Sequence, residues 1–288
     1  MNLSPTLPTK TPNLVSWRGN LTLEFAQREG ATQLIHSHMQ APLRVQRPFY
    51  PEGAEVCHTV MLHTAGGMVG GDRLAIAIHL QPQTHALLTT AAAGRVYGSN
   101  GSEARQSITV QVADGACMEW LPQEMIAYNH ALYRQDLRVE LAPTATWIGW
   151  EVTRLGRSAR GEKFLQGNWR SRTEIWQSGR PLWIDPQWIK GDPEIWQSPH
   201  GLSGFPVIGS FAFIGQSVSS DIIDTARMLW TNHQYPGAAG VTRLQSGLLC
   251  RYRGPSTVDA RRWFTKVWQL LRPAYLERPA CPPRVWQR

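Results

Sequence analysis

The chain has 288 residues, 42% of them hydrophobic, and carries 29 Lys and Arg against 21 Asp and Glu, for a formal charge of +8. That length buries a sizeable core in one large domain or two ordinary ones, and no stretch approaches the roughly 20 apolar residues of a membrane span. Only four of the basic residues are lysines (Lys10, Lys163, Lys190 and Lys266) and no dense basic run occurs, which argues against nucleic acid and leaves an acidic protein as the counterpart of the charge.

Residues 1–13 include three prolines and no apolar core of signal-peptide length, so they read as a disordered lead-in to a cytoplasmic protein. Strands then dominate. Period-two or β-rich segments fall at Leu21–Phe25, Gln33–Met39, Leu74–Leu80, Ser107–Val112, Leu137–Leu141, Thr146–Trp150 and Trp169–Trp176, with Gly, Pro, Asn or Asp often between them. This spacing predicts a mainly β body, and periodicity alone leaves a sandwich and a β-helical stack equally open. Asp221–Trp230 reads as a short helix and Val258–Arg272 as a longer one. In the longer one Ala260, Trp263, Phe264, Val267, Trp268 and Leu271 share a face, Ser256 or Thr257 caps the start and Pro273 ends it. Between them, residues 237–252 read as a turn and hairpin, so that a helix–hairpin–helix layer over about 221–272 is appended to the β body.

Within the strand-rich part, Gly66, Gly67, Gly70, Gly71 and Asp72 cluster between two strand-like runs. Glycine alone takes positive φ without strain or lets another backbone pass close by, so the run marks a bent loop ending in a fixed carboxylate. It is not a phosphate cradle. A P-loop needs Lys-Ser/Thr after its last glycine and a dinucleotide fingerprint needs a helix next, whereas residues 74–80 alternate with period two.

Five carboxylates sit beside apolar or tightly turned positions: Asp72, Glu119, Glu124, Glu151 and Glu162. An isolated charge there is costly, so each must be paired, protonated or wet. Arg95, Arg154, Arg157 and Arg160 are the candidate pairing partners. The alternative is a water-filled passage lined by carboxylates, whose oxygen ligands bind divalent ions less tightly than thiolates or imidazoles and so suit transfer. His36 and His38, two apart in a strand, share a face but lack a third ligand in the pattern, and the adjacent Cys57 and His58 point to opposite faces. Cys57, Cys117, Cys250 and Cys281 lie far apart without a C-x-x-C pair, which argues against structural zinc or a disulfide framework. No Gly-x-Ser-x-Gly nucleophile elbow occurs, and Ser99 and Ser102 fit a turn. Trp120, Trp147, Trp150, Trp263 and Trp268 read as core; Trp169, Trp176, Trp183, Trp188 and Trp196 fall in polar, Pro-rich sequence and suit a partner surface or, less well, a sugar platform.

The glycine loop, residues 87–97, Glu119-Trp-Leu-Pro-Gln-Glu124, Gly149-Trp-Glu151, Leu155-Gly-Arg-Ser-Ala-Arg-Gly-Glu162, residues 247–252 and Val267-Trp-Gln-Leu-Leu-Arg-Pro273 follow one another in the order of motifs of a single group. On these residues the chain resembles the UreD/UreH family of urease accessory proteins, from about Leu14 to Trp286. The resemblance implies a single domain over 14–288 with an elongated β-helical body and attached helices, and no catalysis. It implies a complex with urease apoprotein subunits, a helical accessory protein and a GTPase, and a role in delivering Ni²⁺ that is bound transiently, with no tightly held cofactor. The family motif also has a histidine at the position of His63, so His63, whose other and leading reading is a hydrogen bond that fixes the loop, joins Asp72, Glu119, Glu124 and Glu162 as the candidate metal route, with Gly66, Gly67, Gly70 and Gly71 shaping the loop. A scaffold that positions partners without touching metal is the other reading. Thr64-Ala65 stands where many members have two prolines and Gly98 where an arginine is common, and residues 191–204 match no motif.

Overall fold

The computed structural model describes residues 16–286, so the expected lead-in over 1–13 lies outside them. The chain enters through β1 (Arg18–Arg28), β2 (Ala31–Gln40) and β3 (Leu43–Val45). Four coils follow: β4 (Val56–His63) with β5 (Arg73–Leu80); β6 (His85–Thr90), a short β7 (Gly94–Val96) and β8 (Ala104–Val112); β9 (Cys117–Trp120), a short β10 (Met125–Ala127) and β11 (Leu132–Leu141); and β12 (Thr146–Leu155) with β13 (Asn168–Gln177). It leaves through β14 (Arg180–Lys190), α1 (Pro193–Gln197), β15 (Val207–Ile214), α2 (Ser220–Thr231), β16 (Ala238–Leu244), β17 (Gly247–Gly254) and α3 (Thr257–Tyr275).

Parallel pairing joins β1, β5, β8, β11 and β13 into the first sheet and β4, β6, β9 and β12 into the second. Antiparallel strands extend both: β2 and β14 edge the first, β3 and then β15, β17 and β16 the second. The coil is therefore the β-helical stack, and each segment read as strand lies inside one. The hairpin β16–β17, expected in the helical layer, instead continues the second sheet.

Burial explains why the two sheets read differently. The first faces solvent on one side, so β5 and β8 alternate buried and exposed positions. The second is covered on both faces, so β4, β9 and the first half of β12 are buried almost throughout. Along β12, Trp147 and Leu155 enter the core between the sheets, while Ile148, Trp150 and Val152 enter a second core beneath α2 and α3.

Helix α3 buries the six residues of the expected face. Ser256 Oγ accepts the Asp259 N–H at 3.2 Å, as its cap position predicts. The expected stop at Pro273 is corrected: the helix runs on to Tyr275, because Pro273 lies in its last turn and the Leu276 N–H still reaches the Arg272 carbonyl at 2.8 Å. Helix α1, inside the stretch without a motif, starts with Asp192 accepting the Glu194 N–H and Pro193 at its first position, a start signal short enough to escape a periodicity reading. Trp169 and Trp196 are buried, not part of a partner surface, whereas Trp188 is 62% exposed. The four cysteines are free, and Cys57, Cys117 and Cys250 are buried.

Trp268 lies against Trp286, under the Arg272 guanidinium, and donates its indole N–H to Glu119. Trp268→Ala is expected to cost about 3–5 kcal/mol, read as a drop in melting temperature and in soluble yield; a variant that melts like the parent contradicts this packing.

Candidate functional site

The two facing sheets do not pack apolar side chains everywhere. On the first, register places Gln106 beside Gln135, Gln135 beside Ser171, and Ser171 beside Gln187. On the second it places Glu151 beside Ser210 and Ser210 beside Arg251. Hydrogen bonds tie the rows together across the interior: Gln135 donates to Glu151 Oε1, Ser171 Oγ donates to Glu151 Oε2 at 3.0 Å, Gln187 reaches both Asp185 (2.8 Å) and Ser210 (3.1 Å), and Arg251 reaches Asp185 (2.7 Å) and Ser210 (3.1 Å). A polar seam thus crosses the core and ends at the partly exposed Arg251.

Open space lies on both sides of Glu151. A cavity of about 250 Å³ reaches from Glu151 and Gln135 past Glu124 and Arg95 to His63 and the glycine loop. A void of about 10 Å³, room for about one water, continues from Glu151 to Asp185 and Ser210 between Trp120, Trp147 and Trp183. Burial, together with the Asp185 charge, raises the Glu151 carboxyl from its ordinary 4.5 to about 7, against the opposing hydrogen bonds from Ser171 and Gln135. No arginine or lysine pairs with it among the described residues.

The glycines build the mouth. A side chain on Gly67 would strike Tyr97 and Arg95, and one on Gly70 would strike Ser99, so the loop can lie against the next coil only because both are bare. Gly71 takes φ +94 and turns the chain into β5. His63 Nδ1 faces the Ala65 carbonyl at 3.0 Å and therefore carries the hydrogen, which leaves Nε2 as a lone pair. That nitrogen is buried without a partner, and burial lowers the imidazole pKa, so the ring is neutral.

Of the candidate route residues, His63 and Glu124 line the cavity, along with Gly66 and Gly67. Glu124 also pairs with Arg261 at 3.2 Å. Asp72, Glu119 and Glu162 lie off it. Asp72 clasps the loop, accepting the Trp17 N–H (2.8 Å) and the Val69 N–H (2.9 Å). Glu162 accepts the Asn129 N–H at 2.8 Å and pairs with Arg157. Glu119, fully buried under α3, takes His85 (2.5 Å), Arg272 (3.0 Å) and Trp268; burial alone would raise its carboxyl, and the His85 and Arg272 contacts outweigh that and hold it well below the usual range. Gln135, Ser171, Asp185 and Ser210 escaped the motif reading. Gln135 and Ser171 signal themselves only as polar residues at inward positions of alternating strands, and Ser210 only as a hydroxyl within the otherwise apolar β15.

No three His, Cys, Asp or Glu among the described residues are grouped to hold an ion, and no helix there is long and apolar enough to cross a membrane. The fold and this seam define a β-solenoid with an internal row of polar side chains. The pattern of the UreD urease accessory protein family matches residues 18–287. Urease accessory protein UreD of Nostoc punctiforme is 62% identical over 94% of this chain and 96% of its own length, that of Acaryochloris marina 58% over 96% and 98%, and that of Synechocystis 39% over 89% and 96%. The chain belongs to the UreD family, whose members are non-catalytic accessory proteins of urease maturation.

Glu119→Gln takes the shared carboxylate from His85 and leaves the buried Arg272 with Glu52 (2.8 Å) as its one remaining carboxylate, and is expected to cost about 3 kcal/mol. Glu162→Gln faces a partly exposed Arg157 and should cost about 1 kcal/mol. Denaturant melts of the two variants separate these values; equal midpoints would contradict the different burial of the two carboxylates.

Proposed function

We propose that the seam is the path along which Ni²⁺ crosses this protein on its way to apo-urease, while the chain is held, in the cytoplasm, in a complex with urease subunits, a helical accessory protein and a GTPase. The observation that carries the reading is Glu151: a carboxylate inside an apolar solenoid, without a cationic partner among the described residues, with open space before and behind it. A buried charge without a counterion is a liability to the fold unless a cation visits it. The neutral His63 lone pair and Glu124 supply nitrogen and oxygen donors at the entrance, and Asp185 supplies oxygen beyond. Successive single donors, not one grouped set, suit an ion that must leave again.

The raised carboxyl sets a pH signature. Between pH 4.5 and 7 the unfolded chain has released the Glu151 proton and the folded chain has not, so stability falls as pH rises through this window and is flat above it. Glu151→Gln removes that loss and is expected to gain about 1–3 kcal/mol at pH 8, while lowering the nickel content of urease matured in its presence and sparing complex recovery. Full nickel loading by a Glu151→Gln variant that also carries His63→Ala and Glu124→Gln would sink the transit reading and leave a scaffold that touches no metal.

A further inference from the structure

Arginines scattered along the sequence meet in one line on the outer face of the first sheet. Register sets Arg18 of β1 opposite Arg73 of β5, Arg73 opposite Arg105 of β8, Arg105 opposite Arg134 of β11, and Arg134 opposite Arg170 of β13; the line ends at Trp188 of β14. Strands lie about 4.8 Å apart, so Arg18 and Arg170 are separated by about 19 Å. Like charges opposite one another on neighbouring strands destabilise a sheet. Among the described residues the fold offsets this only in part: Asp136 alone serves Arg105 (2.8 Å) and Arg134 (2.9 Å), and Arg18, Arg73 and Arg170 have no carboxylate partner there. Arg73 gives one N–H to the Glu103 carbonyl, and Arg170 stacks 4.6 Å from the centre of the exposed Trp188 ring.

From this the geometry points to a docking surface for an acidic helical segment of a protein partner. Three features select that occupant. The arginine step of about 4.8 Å is close to the 5–6 Å between side chains three or four apart on a helix, so Asp or Glu repeated at that spacing meets the line residue by residue. Beside the line the sheet is floored by small side chains, Ala75, Ser107, Ala77 and Thr109, over which a helix can lie across the strands. Trp188, its indole N–H held by Asn168 at 2.5 Å, gives an aromatic anchor at one end, where a depression also takes in Arg134, Arg172, Pro186 and Asp136, the last already paired with Arg105 and Arg134. A nucleic acid fits less well, because Glu24, Glu140 and Glu174 lie farther along the same face and would repel a second line of phosphates. The inference does not depend on the metal path, which runs inside the solenoid.

The probe is a fluorescein-labelled Ala/Glu helical peptide of about 16 residues, long enough at 1.5 Å per residue to span the line, titrated by anisotropy against the full chain at low and high salt. Binding is expected to weaken with salt, to fall about tenfold in the double variant Arg73→Ala/Arg170→Ala and again in Trp188→Ala, and to stay unchanged in Arg180→Ala, an exposed residue off the line. Melting temperatures confirm that the variants fold. Peptide binding that is absent from the parent chain, or equal in the parent and the double variant, overturns the proposal; so does tighter binding of an oligothymidylate of the same charge, which would make the surface one for nucleic acid. In cells, the double variant should lower recovery of the urease complex while leaving nickel per recovered complex unchanged. That pattern is the reverse of the one expected for Glu151→Gln, so each reading can fail alone.

Discussion

The stacking of one coil on the next is the constraint from which the other features follow. Parallel strands about 4.8 Å apart place the same position of successive coils side by side, so whatever residue type recurs at that position becomes a continuous line through or along the molecule. Ile76 and Ile78 of β5, with Ile108 and Val110 of β8 and Leu137 and Val139 of β11, make the apolar lines of the core. Gln106, Gln135, Ser171 and Gln187 make a polar line through it by the same rule, and five arginines make one on the outer face.

The carboxylates show how surroundings decide the use of one functional group. Glu119 is saturated by Arg272, His85 and Trp268 and fastens α3 to the second sheet. Asp72 is satisfied by two backbone N–H groups and closes the glycine loop. Glu151 receives only neutral donors, and its carboxyl is correspondingly reluctant to ionise. A carboxylate already balanced by cations has little attraction left for an incoming one; an unbalanced one has it in full, and charges the fold for it. By this criterion Glu151 and the His63 lone pair are the strongest donors of the proposed route, and Glu124 and Asp185, each already shared with one arginine, are weaker ones.

The same logic applies to the surface. A net charge of +8 says that the molecule attracts acidic partners somewhere. The stacking turns part of that charge into a line with a pitch, a floor and an aromatic end, which is the difference between general attraction and recognition of a shape.

Local chemistry was enough to determine much of this from sequence alone. Alternation placed the strands, because a half-buried strand must alternate; the i, i+3, i+4 aromatic face and Ser256 placed α3; and four glycines beside Asp72 marked a tight loop, because no other residue permits the approach to Tyr97 and Ser99. The ordered motifs likewise sufficed for the family. What only the tertiary structure decided was every contact between residues far apart in the chain. Glu119 meets Arg272 across more than half the sequence, Asp185 meets Arg251, and Arg18 lines up with Arg170. A sequence read for periodicity shows which face of a strand a residue occupies but not which residue of another coil stands beside it. Register, cavity and pairing depend on that second fact, so which carboxylates are paired with cations and which receive only neutral donors became visible only when the coils were stacked.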